Sequence, residues 1–286
     1  MNIILLLLFS VAFPLPKSDA VIGVAAIDLD SGKTVSVRGE EPFPMASVVK
    51  LPLAIEVLRR VDAGQLRLDQ TYTLTPRDFG LAHSPIRDAA KGKPVTLTLR
   101  TLITSAVSDS DNTAGDYLLR LVTPAAVTER MRALHADGIR VDRTEKEIVE
   151  SFSTKDGVAR YATDPRDTAA PLGMAALLGM VARNREGLKP ASHELLMHAL
   201  SDSSNPVRIA RLLPKGSSVA HKSGTMPGTL NDAGIITSPD GKHHIAIAIF
   251  TKGATRSTEA ERGKLVSEIA RDVYARLTTN SRPPYR

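Results

Sequence analysis

The hydrophobic and polar positions of the chain follow two different periods, and short β-type runs are concentrated near its two ends. Val21–Asp28 and Thr34–Val37 lie near the start, and Val219–Lys222, Ala233–Thr237 and His244–Phe250 lie near the end. Turn sequences join the first two runs and the last two runs. This pattern predicts antiparallel hairpins.

The middle of the chain instead has apolar residues at every third or fourth position, which is the period of an α-helix. Such stripes run through Ser47–Ala63, Leu99–Ala106 and Ala114–Leu121. Pro124 and Pro171 each suit the first turn of a further helix, because proline is tolerated there. The first stripe places Ser47 at or near the start of its helix.

A polar stretch and a last helix complete the pattern. Asp142–Thr168 is predicted to be a loop, whereas Ala260, Val266, Ile269 and Val273 predict the inward side of a C-terminal helix. The order of these elements predicts an α+β fold, an antiparallel β-sheet flanked by helices, with an inserted all-helical subdomain. We expect one domain over residues 21–286, with the sheet layer at about 21–65 and 215–286 and the helical subdomain at about 66–214.

Length and charge narrow the classes of function. A chain of 286 residues can bury a sizeable core. The net charge of +6 would suit a nucleic-acid or other anionic partner, but the basic residues are scattered among acidic ones. No basic run carries the interleaved aromatic residues of a surface that stacks single strands. We therefore expect no nucleic-acid partner, although the basic balance would favour an anionic substrate.

Cysteine and histidine usage excludes further chemistries. The sequence contains no Cys, which rules out disulfides, thiolate catalysis and a lipidated cysteine anchor. Its seven His residues form no spaced set with carboxylates of the kind that binds zinc, and no glycine-rich phosphate loop is evident. We expect no metal and no cofactor.

The first twenty residues resemble an export signal. An apolar stretch from Ile3 to Phe13 is followed by the small residues of Ser18-Asp19-Ala20, which predicts a signal peptide over Met1–Ala20 and a periplasmic or secreted protein. The stretch is too short to span a bilayer. It departs from the usual pattern because no positive charge precedes Ile3, and the alternative is an apolar first strand or helix.

Three short motifs occur in order along the chain and carry the main chemical prediction. They are Ser47-Val48-Val49-Lys50, Ser110-Asp111-Asn112 and Lys222-Ser223-Gly224-Thr225. A serine hydroxyl needs a neighbouring base to act as a nucleophile, and residues three apart on a helix share a face, so the first motif can bring the two groups together. One serine-x-x-lysine occurs by chance about once in such a chain. The ordered set is far more specific and predicts one nucleophilic active site.

With these motifs the chain resembles the class A β-lactamases, serine enzymes of the penicillin-recognising superfamily. The resemblance extends to Pro44-Met45-Ala46, Val61–Gln65, Asp164–Thr168 and Asp240–Lys242. It implies a β-lactamase/transpeptidase-like fold and an enzyme that opens the lactam ring of penicillins or cephalosporins through a serine acyl-enzyme, thereby conferring resistance. The expected partner is a small β-lactam substrate, with no stable membrane span and no second subunit.

The resemblance also implies the catalytic roles. Ser47 attacks the lactam carbonyl, and either Lys50, or Glu145 acting through water, accepts its proton. Ser110 passes a proton to the departing nitrogen. Lys222 is a second cation, which would depress the pKa of Lys50 if the two lysines are buried side by side.

Substrate binding is implied for the residues around the second and third motifs. Asn112 offers an amide to the acylamino side chain of the substrate. Lys222, Ser223 and Thr225 lie on or just after a predicted strand, and Gly224 lets a ligand approach the backbone closely. This strand edge is implied to bind the substrate carboxylate. The backbone N–H groups of Thr225 and the nucleophile are implied to form the oxyanion hole.

Two further residues lie in or near these motifs, and one of them has two interpretations. Arg208 precedes the third motif at a spacing where some class A members have an arginine that holds the substrate carboxylate, and a guanidinium suits that anion. The alternative is a solvated helix arginine like Arg211. Asp111 is expected to be structural and to cap the following helix.

Asp142-Arg143-Thr144-Glu145 resembles the family's loop motif that carries the deacylating glutamate. Glu145 would activate the water that hydrolyses the acyl-enzyme, because a general base must lie within one water of the ester. Arg143 and Asp167 are then expected to form the ion pair that closes this loop.

The loop departs from the family pattern in one residue and in its length. The family usually has an asparagine four residues after the glutamate, where this chain has Val149, which cannot hold a water by hydrogen bonding. The segment is also several residues longer than usual, so Glu147 and Glu150 are rival candidates for the base. A solvated acidic loop is the further alternative.

Two other functions compete with the β-lactamase prediction. A penicillin-binding D-alanyl-D-alanine peptidase or transpeptidase needs the same three motifs, but it leaves the Asp142–Glu145 segment unexplained. A secreted protein that binds β-lactams with weak catalysis would keep the fold without turnover. A lactam assay separates the three functions. Sustained hydrolysis indicates a β-lactamase, a stoichiometric burst indicates a peptidase or transpeptidase, and the absence of both hydrolysis and a covalent adduct indicates a binding protein.

Overall fold

The computed structural model describes residues 13–203 and 208–279. Its strands are β1 (Val21–Asp28), β2 (Thr34–Val37), β3 (Phe43–Pro44), β4 (Thr71–Leu74), β5 (Val95–Thr98), β6 (Thr168–Ala169), β7 (Ser218–Met226), β8 (Thr229–Thr237) and β9 (His244–Lys252). Its α-helices are α1 (Lys50–Asp62), α2 (Pro85–Ala90), α3 (Leu99–Val107), α4 (Asn112–Val122), α5 (Pro124–Ala133), α6 (Glu145–Glu150), α7 (Gly157–Thr163), α8 (Pro171–Ala182), α9 (Pro190–Ser201) and α10 (Glu259–Thr278).

Five strands form one antiparallel sheet in the order β2-β1-β9-β8-β7. Successive side chains of a strand point to opposite faces, so the sequence of β9 shows what each face requires. Its side chains toward one apolar cluster are Ile245, Ile247 and Ile249. Those toward the other cluster are Ala246, Ala248 and Phe250. Both faces of this strand are apolar and are covered.

Helices cover the two faces of the sheet. The C-terminal helix α10 packs against the isoleucine face through Val266, Ile269 and Val273, which are fully buried, and α8 packs against the other face. The predicted α+β architecture, an antiparallel sheet flanked by helices, is confirmed. The prediction that Ala260 faces inward is wrong, because the buried stripe of α10 begins only at Arg262 and Ala260 is exposed.

Helix α1 lies in the interior of the helical part of the molecule. Every residue from Lys50 to Leu58 is buried, and the apolar members belong to the main core cluster that includes α3, α4 and α9. A helix that is apolar on all sides is stabilised by packing on all sides. The first turn of α1 and the residues just before it are therefore held rigidly.

The middle of the chain contains more regular structure than the hydrophobic period indicated. β4 pairs with β5 in a separate two-stranded sheet, within a block predicted to be helical. The segment Asp142–Thr168, predicted to be a loop, contains α6 and α7. These helices have six and seven residues, which is too short to display a helical period of apolar residues. The proposed division into a sheet layer and a 66–214 subdomain stays a prediction.

The predicted signal peptide lies partly outside the described residues, because positions 1–12 are not among them. Asp19, near the predicted cleavage point, accepts hydrogen bonds from the backbone N–H groups of Thr255, Arg256 and Ser257 at 3.0, 2.7 and 3.3 Å. These residues precede α10. Within 13–203 and 208–279, no helix combines the length and apolar character that crossing a membrane requires.

Candidate active site

Ser47 lies in a 3-10 turn, Ala46–Val49, that leads directly into α1. Its side chain donates a hydrogen bond to Oε1 of Glu145 at 2.9 Å and accepts one from Nζ of Lys50 at 3.1 Å. The predicted position of Ser47 at or near a helix start is confirmed. The start of this helix is buried in the core. There the Ser47 hydroxyl lies between the Glu145 carboxylate and the Lys50 ammonium, which come from different parts of the chain.

Besides the Ser47 hydroxyl, Lys50 faces three other oxygens that accept hydrogen bonds. Its Nζ lies 2.7 Å from the carbonyl oxygen of Ser110, 2.7 Å from Oδ1 of Asn112 and 3.0 Å from Oε1 of Glu145. The Asn112 amide donates its own N–H to Leu81 O, which fixes the oxygen toward the lysine. Gly115 leaves room for the lysine stem, since a Cβ there would lie 2.7 Å from Cε of Lys50.

Ser110 lies in the turn between α3 and α4, with a φ of 57°. Its Oγ accepts a hydrogen bond from Nζ of Lys222 at 2.9 Å. Asp111 next to it caps α4 by accepting from the N–H of Ala114, as predicted, and also accepts from the hydroxyl of Ser84. The cap fixes the turn that presents Ser110 to the lysine.

The Lys222 ammonium is fully buried, and its burial together with the positive charge of Lys50 lowers the pKa of Lys222 to about 7. The negative charges of Glu145 and Asp232 act in the opposite direction. The lysine also donates to the carbonyl oxygen of Ser223 at 2.9 Å. A lysine with this pKa can both hold an anion and exchange a proton near neutral pH.

Glu145 is the first residue of α6 and is buried. Asp116 holds this helix start, because its carboxylate accepts the backbone N–H of Glu145 at 2.6 Å and that of Lys146 at 3.1 Å. The rivals Glu147 and Glu150 are exposed, and Glu147 is occupied in a capping box with Thr144. Of the three acidic side chains, only Glu145 reaches the nucleophile.

The loop that carries Glu145 is closed as predicted by an ion pair between Arg143 and Asp167, with a shortest distance of 2.6 Å. Burial raises the pKa of Asp167, while hydrogen bonds from the backbone of residues 142 and 143 and from the arginine side chain oppose that effect. Val149 lies against a small apolar cluster of Ala46, Ile148, Tyr161 and Met226. Its side chain therefore packs, and it does not line the polar part of the site.

Strand β7 forms the opposite wall of the site. Gly224 lies close to the nucleophile turn, since a Cβ there would be 2.7 Å from the carbonyl oxygen of Met45 and 3.1 Å from the backbone nitrogen of Ser47. Arg208 donates to Oγ1 of Thr225 at 2.9 Å, and only 12% of its side chain is exposed. Arg208 is thus adjacent to the strand edge, unlike the exposed Arg211.

A cavity of about 140 Å³ opens between these elements, and its lining residues are Ser47, Ala82, His83, Ser110, Asn112, Glu145, Ser223, Gly224, Thr225 and Met226. Lys50 and Lys222 lie buried beneath it. The structure therefore brings the candidate residues of all three motifs and Glu145 together, with Arg208 at the edge. In the described part of the chain no group of three or more His, Cys, Asp or Glu side chains is placed to hold a metal ion.

Comparisons with known proteins agree with this geometry. A model of the β-lactamase enzyme family matches residues 12–277. The chain belongs to the β-lactamase enzyme family. It is 30% identical over 269 residues to β-lactamase VEB-1 of Pseudomonas aeruginosa, covering 90% of this chain and 85% of that protein. Extended-spectrum β-lactamase PER-1 of the same organism is 30% identical over 263 residues, covering 89% and 82%.

The crystal structure of a β-lactamase from Chitinophaga pinensis superposes with a TM-score of 0.81 at 32% identity, covering 91% of this chain and 95% of that one. A mutant of the class A β-lactamase of the last common ancestor of Gram-negative bacteria gives the same TM-score at 31% identity, covering 92% of this chain and 96% of that one. The resemblance to class A serine β-lactamases is confirmed, and with it the prediction of a serine β-lactamase.

Three residues of this β-lactamase site were not predicted from the sequence. Asp116 and Gly115 follow Asn112 by four and three positions on the same helix, so a helical projection from the second motif could have found them. Tyr161 lies in the segment predicted to be a loop, and its hydroxyl contacts the nucleophile turn. No periodic pattern of apolar residues in the sequence predicted that Tyr161 would lie in the site.

Proposed function

We propose that the chain hydrolyses the lactam ring of penicillins and cephalosporins through an ester on Ser47 and thereby confers resistance to them. The observation that carries the proposal is the position of the Ser47 hydroxyl, 2.9 Å from the Glu145 carboxylate and 3.1 Å from the Lys50 ammonium. A hydroxyl between a base and a cation has the arrangement of an activated nucleophile.

Counting hydrogens favours Glu145 over Lys50 as the base for acylation. Lys50 faces three acceptors, and the carbonyl oxygen of Ser110 and Oδ1 of Asn112 can only accept. The third acceptor is the Glu145 carboxylate. Together with Ser47 Oγ at 3.1 Å, Nζ faces four oxygens. An ammonium has three N–H bonds, two for the carbonyl-type oxygens and a third shared between the carboxylate and Ser47 Oγ. A neutral amine has only two and leaves the carboxylate facing a lone pair. The protonated lysine has no lone pair for Ser47, so the hydroxyl proton moves to Oε1 of Glu145 as Oγ bonds to the lactam carbonyl carbon.

Ser110 and Lys222 complete ring opening. When the C–N bond of the lactam breaks, the Ser110 hydroxyl donates its proton to the nitrogen and recovers one from the Lys222 ammonium, 2.9 Å away. Lys222 and Thr225, with Arg208 behind the threonine, hold the substrate carboxylate through charge-assisted hydrogen bonds. Asn112 and the edge of β7 hold the acylamino side chain.

Glu145 also drives hydrolysis of the ester. Its second oxygen, Oε2, is buried and accepts no hydrogen bond from the described residues, so its lone pairs are available to a water. After ring opening, the proton that Glu145 took from Ser47 passes to the neutral Lys222, which restores the carboxylate and the ammonium. The carboxylate then takes a proton from the water, the hydroxide bonds to the ester carbon, and the carboxyl group returns that proton to Oγ of Ser47 as it leaves. Val149 offers no hydrogen bond, so its side chain does not help Glu145 to hold this water.

The predicted site of action is outside the cytoplasm. The apolar segment of Met1–Ala20 supports export to the periplasm or medium, with the domain of residues 21–286 acting on a small-molecule β-lactam there. No second subunit is required by the site, because all its candidate residues come from one chain.

The test is a lactam assay of the purified chain with a penicillin and a chromogenic cephalosporin. The expected result is sustained turnover by the wild type, none by Ser47→Ala, and an acyl-enzyme adduct visible by intact-protein mass spectrometry in Glu145→Gln. A stoichiometric burst without turnover would instead indicate a penicillin-binding peptidase. If neither turnover nor an adduct were observed, the protein would be a binding protein and not a hydrolase.

A further inference from the structure

The nucleophile turn contains a backbone conformation that its sequence does not favour. Ala46, the residue before Ser47, has a φ of 48°, in the left-handed region that residues with a Cβ rarely occupy. Glycine would adopt this conformation freely, but the chain has alanine there. A strained residue next to a nucleophile persists only when surrounding contacts hold it.

The polar backbone groups around Ala46 are held by contacts from distant segments. The N–H of Met45 donates to the carbonyl oxygen of Asp167 at 2.9 Å, and its carbonyl oxygen accepts from the Asn231 amide at 3.0 Å. The N–H of Ala46 itself donates to the hydroxyl of Tyr161 at 3.2 Å. The Met45–Ala46 peptide is therefore held by two side chains, Asn231 at its carbonyl oxygen and Tyr161 at its N–H.

The Tyr161 ring is fixed by packing. Its side chain is buried in the cluster with Ala46, Ile148 and Met226, and its ring meets the edge of Phe152 at a centroid distance of 5.0 Å and an interplanar angle of 61°. Burial and the nearby charge of Glu145 raise the pKa of Tyr161, so the hydroxyl stays neutral while the enzyme works. A neutral, rigid phenol can accept the Ala46 N–H without adding charge to the site.

The direction of the Ser47 N–H depends on this turn. The backbone nitrogen of Ser47 faces Gly224 on β7, where a Cβ would lie only 3.1 Å from it. Ser47 and Gly224 both line the cavity that would admit the lactam, so the Ser47 N–H lies beside the position at which negative charge would develop on the carbonyl oxygen. A hydrogen-bond donor stabilises a developing oxyanion only when it is aimed at the position the oxyanion will occupy.

We propose that Tyr161 is a positioning residue for acyl transfer: its hydroxyl holds the strained peptide of Ala46 and thereby aims the Ser47 N–H at the oxyanion. The inference rests on the proposed function and deepens it. It gives a role to α7, within the long segment between Arg143 and Asp167, because that helix supplies the tyrosine. The loop thus contributes a geometric element as well as the general base.

Tyr161→Phe tests the proposal, because it keeps the ring and removes only the acceptor. Tyr72→Phe is a matched control: the Tyr72 hydroxyl is buried with no hydrogen-bond partner in the described residues, and its ring packs edge-on against Tyr117 at 5.4 Å. Single-turnover rates of acylation and deacylation are measured for a chromogenic cephalosporin. Both rates should fall about tenfold in Tyr161→Phe, since one oxyanion site serves both steps. Tyr72→Phe should match the wild type.

A second readout separates positioning from a structural role. An aryl boronic acid forms a tetrahedral adduct on the nucleophile with an oxygen in the oxyanion position, and its affinity should weaken about tenfold in Tyr161→Phe, in proportion to the acylation rate. If Tyr161 only supported the fold, Tyr161→Phe would lower Tm and leave both this affinity and the two rates unchanged. The pH profile of kcat/KM should also keep its shape, because the pKa of Tyr161 is raised and its hydroxyl stays neutral over the working pH range.

The outcomes are distinguishable from failure of the proposed function. A wild type without turnover or adduct would refute the hydrolase proposal itself. A wild type that turns over while Tyr161→Phe equals it in both rates and in boronic acid affinity would refute only the role of Tyr161. A Tyr161→Phe protein that does not fold where the wild type is active would refute it too, since the hydroxyl would then be a requirement of the fold.

Discussion

The hydroxyl of Ser47 donates directly to Oε1 of Glu145 at 2.9 Å, although 98 residues separate the two in sequence. Nζ of Lys50 lies 3.0 Å from the same oxygen. Nucleophile, base and cation therefore meet at a single carboxylate atom. A change in the charge of any one of them alters the proton affinity of the other two.

Replacing the base should trap the acyl-enzyme. Glu145→Gln removes the proton acceptor, so we expect acylation to slow and deacylation to slow further, by about 10²- to 10⁴-fold. Stopped-flow bursts and intact-protein mass spectrometry measure both steps. Glu147→Gln is the matched control, because Glu147 lies on the same helix, is exposed and keeps its capping box as glutamine. Full turnover in Glu145→Gln would remove Glu145 as the base.

The charge of Lys222 should govern the alkaline side of the pH profile. Its pKa is lowered to about 7 by burial and by Lys50. In the proposed mechanism its protonated form holds the substrate carboxylate. kcat/KM should therefore decline as pH rises through about 7. In Lys222→Arg the decline should move to much higher pH, because a guanidinium stays charged. A wild-type kcat/KM that is flat from about pH 6 to about pH 9 would contradict this assignment.

Asp116 should make stability depend on pH. Burial, followed by the charge of Glu145, raises its pKa from 3.8 to about 6, a difference worth about 3 kcal/mol. A raised pKa in the folded state means that stability is fully present below about pH 4 and is lost as pH rises through about 6. Asp116→Asn mimics the protonated acid, so its unfolding free energy should exceed that of the wild type at neutral pH and match it near pH 4.

Denaturant unfolding at the two pH values measures the Asp116 effect. Asp69→Asn is the control, because Asp69 is exposed and paired only with Arg67 on the surface. We expect no comparable gain in unfolding free energy for that variant at neutral pH. An Asp116→Asn protein with the same pH dependence as the wild type would show that another buried acid is responsible.

Arg208 should contribute to substrate binding more than to the chemical step. Its guanidinium reaches Oγ1 of Thr225, so Arg208→Ala should raise KM for substrates that carry a carboxylate by about tenfold with a smaller change in kcat. Arg211→Ala is the matched control, because Arg211 is a nearby exposed arginine. Equal KM values in the two variants would return Arg208 to the role of a structural side chain. Thermal unfolding of both variants shows whether folding is affected.

Local patterns in the sequence were sufficient to predict most strands of the sheet and the C-terminal helix that covers it. β1 and β2 have the predicted bounds, and β7, β8 and β9 occur where β-type runs were found, although β7 is longer at both ends, β8 at its start and β9 at its end. The extra residues of β7 include Gly224, which has a low strand propensity, and Thr225, which follows this glycine. Pairing with β8 along the whole register keeps them extended.

The helical segment around Glu145 could not be predicted in the same way. Its helices are short, and they are stabilised by a capping box at Thr144, by the Asp116 carboxylate and by the ion pair of Arg143 with Asp167. The last two contacts join residues that are more than twenty positions apart. A local period of apolar residues contains no information about such pairs.

The sequence by itself determined the chemistry that is available, because three ordered motifs specify a serine, two lysines, a second hydroxyl and an amide, and local periodicity places them at helix starts and on a strand. Only the tertiary structure decided which acid reaches Ser47, that Lys50 faces three acceptors, and that Tyr161 holds the turn before the nucleophile. The physical reason is that hydrogen-bond geometry and burial depend on distances between segments that only packing brings together.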